Sequence, residues 1–522
     1  MSARKIGLLI LLLGFGAAIE TAWHVRGDWH IGPEGCRVIG GRFYGPSHAF
    51  EQTAERPLPA GEAPRLEVKN AFGGVSVTAG VPGVVKVKLR KVVFLPTEEK
   101  ARAFADRVLL RLSGDGARVK VDTNRDEIDR GRDVGFETHL EIEAPPDTVV
   151  EVRNEHGRVD LAGLASADVV SSFDGVAIQR IAGALKLEAR HGDVRVSGIG
   201  AGLELSSRHG NVEVEDVTGA ARLDVEHGDL SVRKTGALDV AIQHGGFQAE
   251  GVGGELVVRG AHAELRAKDV AGRAEVETSF SGIHLARVGG EVRATAKNGE
   301  VTAEDVAGGL FAETTHAGVS LDRVDGPVQV IVDHGGVEAR GLAKGAKVRT
   351  SGGDVSLDGF TGPVEVEVER GSARLSPRAA LVAEVTASAT HGEVRLDVPE
   401  GSRFDLEAES HRGELRADVP GLAASEQGGE PGRAHRVAGK LAGGGVAVRL
   451  RADGDVVLEG KPAGPIADRP VAKPSATAPP AEAPAPIASP SAAATPKPRA
   501  VPAEAAPPPP APPQKPETPE AP

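Results

Sequence analysis

The sequence predicts an all-β protein: a single-stranded β-solenoid (β-helix, expected to be right-handed) of about 18-residue coils, behind a small α+β amino-terminal cap. Three observations predict it. A short unit recurs through the middle of the chain, each unit holds two runs of strict apolar/polar alternation, and aromatic residues are only 3% of 522 residues while glycines number 68. A conventional core leans on aromatic side chains for buried area, so this one must be closed by Val, Leu, Ile and Ala in many thin layers.

The repeat is read from consecutive segments: ALKLEARHGDVRVSGIG (184–200), AGLELSSRHGNVEVEDVTG (201–219) and AARLDVEHGDLSVRKTG (220–236). Turn glycines track the period at Gly157, Gly175, Gly192, Gly210, Gly228, Gly246, Gly282, Gly299, Gly318, Gly336, Gly353 and Gly371, with longer copies turning at Gly392 and Gly413. The copy at 255–272 lacks that glycine and carries Ala263 near its place. In the first copy Leu185, Leu187 and Ala189 share one side of a strand, and Lys186, Glu188 and Arg190 the other; Val194 and Val196 repeat the pattern after the turn. A unit this small cannot bury its own apolar face, but stacked copies can. A left-handed hexapeptide helix fits poorly, because six residues on from Leu185 stands the polar His191. Two or three strands per coil and roughly 15 coils between Val150 and Pro420, at ~4.8 Å each, predict a rod of about 70 Å.

Ahead of the array, RLEVKNAFGGVSVTAG (65–80) already reads as one repeat and VVKVKLRKVVFL (84–95) as a strand. Thr97, Glu98 and Glu99 suit a helix start. Ala101, Phe104, Ala105, Val108, Leu109 and Leu112 follow at helical spacing, and Gly114 suits the stop, which predicts a helix over about 97–113. Strands at 117–123 and 137–145 complete a capping unit, 65–149, over the first coil; 150–420 is the solenoid and 421–461 an irregular or β terminal cap.

The termini differ in kind. Arg4 and Lys5 precede an apolar run at 6–19, the form of an export signal; it is either cleaved after Ala18 or retained as a short membrane anchor within residues 1–22. Residues 23–64 read as an irregular linker. Residues 462–522 hold 21 of the 36 prolines and read as a disordered Pro/Ala-rich tail. The formal charge of −13 disfavours nucleic acid as a partner. The single Cys36 rules out an intrachain disulfide.

Histidines recur at the turn: His156, His191, His209, His227, His244, His316, His334, His391 and His411, with Phe173, Phe280, Asn298 and Arg370 in other copies. Stacked coils would align them in a column about 4.8 Å apart. Three readings follow: a turn residue tolerating left-handed φ, a pH-responsive column, or a metal-binding column built on His191, His209, His227, His244 and His334. The acidic residues after the turn (Asp193, Asp229, Asp354, Glu300, Glu393, Glu414) lack calcium-repeat spacing and read as solvated carboxylates. Glu365, Glu367 and Glu369 share one strand face and read as a solvated outer surface. No nucleophile elbow, zinc-protease, Walker or dinucleotide motif stands in a plausible context, so no enzyme, catalytic residue or cofactor is assigned.

HLEIEAPPDTVVEVRNEHGRVDLAGL (139–164), with the units that follow it, resembles the bacterial putative-adhesin family of β-strand-repeat proteins of unknown function, over about residues 65–420. The resemblance implies an exported, non-enzymatic cell-envelope solenoid whose partner is an envelope or surface component, protein or glycan. The family's turn is commonly Asn-Gly or Asp-Gly; here it is mostly His-Gly. A pH or metal sensor using the histidine column, and a divergent β-helix carbohydrate-active enzyme, are the alternatives.

Overall fold

A computed structural model describes residues 37–39, 42–44, 46–129, 134–427 and 435–461. The export signal or anchor, Cys36 and the Pro/Ala-rich tail lie outside the described residues. The described chain is a parallel β-solenoid of about 14 turns with ~18-residue coils. Each coil contributes two strands. Leu185–His191 pairs in parallel with Leu203–His209, and Val194–Ile199 with Val212–Val217, without a register shift. The same i-to-next-coil pairing runs from Val149–His156 to Val385–His391 in one sheet, and from Val159–Ala162 to Val394–Pro399 in the other.

The inward columns are aliphatic ladders. Leu187, Leu205, Leu223, Val240 and Val258 stack in the first sheet, and Val196, Val214, Val232, Ala249 and Ala267 in the second; all are buried. Alternation explains the first two inward residues of each second strand but not the third. Val194 and Val196 point inward, and Ile199, three residues on, points inward again. Gly198 between them drops out of the pairing and adopts φ +67. This bulge recurs at Arg180, Asp216, Lys234, Gly251, Asp269, Arg287, Asp305, Arg323, Gly341 and Gly359, all at positive φ. It resets the pleat so that one more aliphatic residue closes the edge of the core.

The copy without a turn glycine is accommodated by a different route. Leu238–Val252 and Leu256–Val270 run as unbroken 15-residue strands through the corner, and Ala263 faces the core. Gly260, in register with Ile242 and Thr278 before the corner, leaves room there: a Cβ on it would stand 3.2 Å from the Leu265 side chain.

Both ends depart from chain order. At the amino end, Arg65–Phe72 and Val75–Ala79 form a coil beneath Val149–His156 and Val159–Ala162. Its other side pairs in parallel with Arg118–Thr123 and Gly135–Ala144, which follow it in sequence. At the carboxyl end, Val446–Ala452 and Val456–Lys461 insert between the coil at 385–399 and that at 404–418. Residues 446–461 thus form a full coil of the stack. The outermost strands there are His435–Leu441 and Leu422–Gln427, an antiparallel pair.

The helix is shorter than the periodicity predicts. It covers Glu98–Ala105, and Thr97 takes the extended N-cap conformation without a side-chain cap bond. Leu110–Ser113 is a strand, antiparallel to Arg118–Thr123, and Gly114 sits in their turn at φ +110. The Asn124 carboxamide ends the helical path by accepting from the Leu109 N–H and donating to the Arg107 carbonyl. Lys91 donates to the Ala105 carbonyl at the helix end, and burial pushes its ammonium below the usual lysine range. Part of the stretch read as irregular is also a strand. Ser47–Pro57 pairs antiparallel with Val84–Phe94 along its whole length.

Candidate functional site

The feature that stands out from the repeat is the column at the turn between the two strands. Nine rings follow one another in adjacent coils: Phe72, His156, Phe173, His191, His209, His227, His244, His262 and Phe280. Centroids of the five consecutive imidazoles are 4.9–5.0 Å apart. His191 and His209 are nearly parallel at 11°, and His244 and His262 at 5°. The rings from Phe173 to Phe280 lie at the surface; Phe280 is 56% exposed.

Backbone geometry fixes this column. Gly210 follows His209 at φ +132, and a Cβ there would stand 2.2 Å from the Gly192 carbonyl oxygen of the preceding coil. Gly228 and Gly245 repeat the contact at 2.2 and 2.1 Å. Only glycine satisfies both demands. A positive-φ glycine follows Phe72, His156, His191, His209, His227 and His244, whereas Asp174, Ala263 and Ser281 follow Phe173, His262 and Phe280. The acidic position beyond the turn joins the coils. The Asn211 N–H donates to the Asp193 carboxylate at 3.0 Å, the Asp229 N–H to the Asn211 side chain at 3.1 Å, and the Gly246 N–H to the Asp229 carboxylate at 2.8 Å. Ser372 donates likewise to Asp354. These carboxylates are therefore hydrogen-bond acceptors for the next coil as well as solvated groups.

Of the residues singled out from the sequence, His191, His209, His227 and His244 share one stack. His334 does not join it. It stacks on His316 at 5.5 Å in a separate pair, because Asn298 takes the intervening ring position and donates to the Ser279 carbonyl. His391 lies beside Arg370, again without a ring neighbour in register. Sequence reading missed His262, which stands in the copy without the turn glycine, and Phe72, which stands in the cap. The spacing of 18 from His244 to His262 would have found the first. His191 and His209, and His244 and His262, are nearly parallel and hold their nitrogen lone pairs in parallel planes, so they do not converge on a point about 2.0–2.1 Å from each, as a shared zinc requires. His209 and His227 are tilted by 35° and His227 and His244 by 23°. Among the described residues no cluster of three or more His, Cys, Asp or Glu is placed to hold a metal ion.

A second column runs along the opposite edge, at the bulge. Lys234 meets Asp216 at 3.5 Å, Arg287 meets Asp269 at 2.5 Å, and Arg323 meets Asp305, each pair bridging adjacent coils. The Arg287 hydrogen bond holds the Asp269 carboxyl below the usual range, and the Arg323 bond does the same for Asp305. The outer strand face is paired in the same way. Glu365 meets Lys347 at 2.9 Å and Glu367 meets Arg349 at 2.6 Å, the latter bond holding the Glu367 carboxyl down. These acids are partners in a surface ladder.

One outward carboxylate is buried. Asp397 accepts from the Ser376 hydroxyl at 2.6 Å and from Lys461 of the inserted last coil. Burial opposes its ionisation, but the two hydrogen bonds and the nearby Arg374 outweigh burial and keep the carboxyl below its ordinary value. That arrangement clamps the inserted coil. No helix among the described residues is long and apolar enough to cross a membrane.

No curated protein matches the chain. A solved structure, "Crystal structure of a putative cell adhesion protein from Clostridium sporogenes ATCC 15579 at 1.95 A resolution", is similar over 79% of this chain and 100% of that one, at 7% identity and a TM-score of 0.15. At that score it carries no argument. Residues 337–459, the last coils with the inserted coil and the hairpin, match the family Toastrack DUF4097, a domain of unknown function, and over that stretch the resemblance to a β-strand-repeat family is borne out.

Proposed function

We propose that the chain is a non-enzymatic scaffold of the cell envelope, exported and presenting a long rigid surface to an envelope or surface component. The observation that supports this reading is the unbroken stack of about 14 turns whose outward charges are tied coil to coil, as Lys347–Glu365 and Arg349–Glu367 are. Such a surface repeats one chemistry at a fixed spacing, and repeated weak contacts add up by avidity. Purified chain should bind intact cells or an immobilised glycan or protein of the envelope saturably. Shortening the stack by whole coils should weaken binding more steeply than in proportion to length. Binding unaffected by coil number would sink the reading.

A further inference from the structure

The second-strand sheet continues past the first coil through Gly135–Ala144 and Val84–Phe94 to Ser47–Pro57, and among the described residues it ends there. This last strand is 11 residues long. The strands that end the stack at the other extremity, Leu415–Asp418 and Leu422–Gln427, have 4 and 6. Natural sheets usually blunt an edge by keeping it short, so a long open strand is a pairing template.

Which backbone groups are open follows from one bond. The Leu58 N–H donates to the Gly83 carbonyl at 2.8 Å, and the register from Ser47 opposite Phe94 to Pro57 opposite Val84 has no shift. In an antiparallel ladder, residues alternate between facing one neighbour and facing the other. The even-numbered residues thus bond to Val84–Phe94. Ser47, Ala49, Glu51, Thr53 and Glu55 turn N–H and C=O outward, and Pro57 offers only a carbonyl. Among the described residues nothing pairs with that side.

We propose that this edge pairs with the same strand of a second copy, antiparallel about a two-fold axis, to join two solenoids at their amino ends. Overlap and charge together choose the register. The one that pairs Ser47–Pro57 along its whole length also keeps its carboxylates from facing each other, with Glu51 and Glu55 already meeting Lys88 at 2.9 Å and Lys86 at 3.6 Å on the neighbouring strand. Setting Glu51 opposite Glu51 of the second copy opposes like charges, and a shift of two residues the other way sets Glu51 opposite Glu55. Like charges directly opposite destabilise a strand pair. The register between these sets Glu51 opposite Thr53 and Ala49 opposite Glu55, with outward-facing odd residues meeting odd residues as the hydrogen bonding requires. On the other face it sets the half-buried Phe50 opposite Ala54 of the second copy. Because the far end of the stack offers no matching edge, the contact is isologous and closes at two copies without growing into a fibre.

Sedimentation of the full chain tests this. The wild type should equilibrate between one and two copies. Thr53→Lys, which puts an ammonium opposite Glu51 twice, should tighten the dimer, and Thr53→Glu should weaken it, each by roughly two- to thirtyfold in Kd. Thr53→Pro, which deletes an outward N–H without touching the ladder to Val84–Phe94, should leave a folded monomer with an unchanged circular-dichroism spectrum. A wild type that stays monomeric at every accessible concentration would overturn the proposal, including one that instead captures an unrelated extended peptide at this edge. Charge variants that shift Kd in the same direction would overturn the register.

Discussion

The solenoid carries two columns of positive-φ residues, one directly after the rings and one at the bulge within the second strand, and the two columns make opposite residue choices. At the ring edge the backbone takes φ between +112 and +138 at Gly192, Gly210, Gly228, Gly245 and Gly371, and every one of these is glycine. At the bulge edge φ lies between +52 and +76, yet Arg180, Asp216, Lys234, Asp269, Arg287, Asp305 and Arg323 stand there beside glycines. The difference is proximity. A Cβ at Gly210 would meet a carbonyl oxygen at 2.2 Å, whereas at Gly198 and Gly341 the nearest atoms are 3.4 and 3.6 Å away. Positive φ alone costs a side chain about 1–2 kcal/mol; positive φ against a neighbouring coil excludes it. Where the backbone after a ring takes φ above +110 against a neighbouring coil it is held to glycine, although Asp174 takes φ +74 there and Ala263 and Ser281 stand in other copies. The bulge position is free to carry charge.

The largest expected effect breaks this comparison most directly. Gly210→Ala should destabilise by more than about 3 kcal/mol, because it adds a clash with the Gly192 carbonyl to backbone strain. Gly198→Ala, at the bulge, should lose only about 1 kcal/mol. Chemical denaturation of the two variants beside wild type measures both. Equal losses would mean that strain, and not the approach of coils, sets the glycine requirement.

A smaller effect sharpens the bulge side. Arg287 sits at φ +54 and pairs with Asp269. An exposed pair is worth about 0–1 kcal/mol, less than the strain of the residue that makes it. Arg287→Gly should relieve the strain, lose the pair and loosen the unfolded chain by about 0.4–1 kcal/mol, leaving stability within roughly 0.5 kcal/mol of wild type. A loss above about 2 kcal/mol would show that Arg287 does more than bridge two coils.

The same contrast explains what the sequence reveals. Parallel in-register stacking writes each coil's pattern into the next, so Leu187 predicts Leu205 and Val194 predicts Val212, and the fold class and ring column are legible. Order of stacking is not written in this way. Val446–Ala452 and Val456–Lys461 carry the same alternation as any coil, and nothing local says that they insert beneath Phe404–Ser410. Leu109 and Leu112 satisfy a helical period while Leu110 and Leu112 alternate as a strand does, and the choice is made by Asn124, fifteen residues from Leu109 in sequence. Ser47–Pro57 alternates too, but with His48, Gln52 and Arg56 on the inner side, where an apolar pattern would have declared it. The bulge was missed because Arg, Lys and Asp at positive φ leave no glycine signature.

The smallest predicted effect concerns the charge that the bulge edge is free to carry. Asp269 and Asp305 are held below the ordinary carboxylate range by Arg287 and Arg323. The folded state therefore favours their ionised form more than the unfolded state does. By linkage their contribution is present above the unfolded value, about 3.9 for Asp, and is lost as pH falls through the lowered folded values. Both side chains are more than 40% exposed, so solvent screening limits each pair to a few tenths of a kcal/mol. Asn tolerates left-handed φ as Asp does, so Asp269→Asn/Asp305→Asn isolates charge from backbone strain. Wild type should exceed this variant by about 0.5–1 kcal/mol at pH 7. The two should converge once the pH has fallen below the lowered folded values, where Asp is protonated in both states. At 1 M salt, where the screening length falls to about 3 Å, the gap at pH 7 should shrink as well. A gap of equal size at pH 2 and pH 7 would mean that the bulge charges contribute through packing or backbone preference, and the freedom of this edge would then have to be explained without electrostatics.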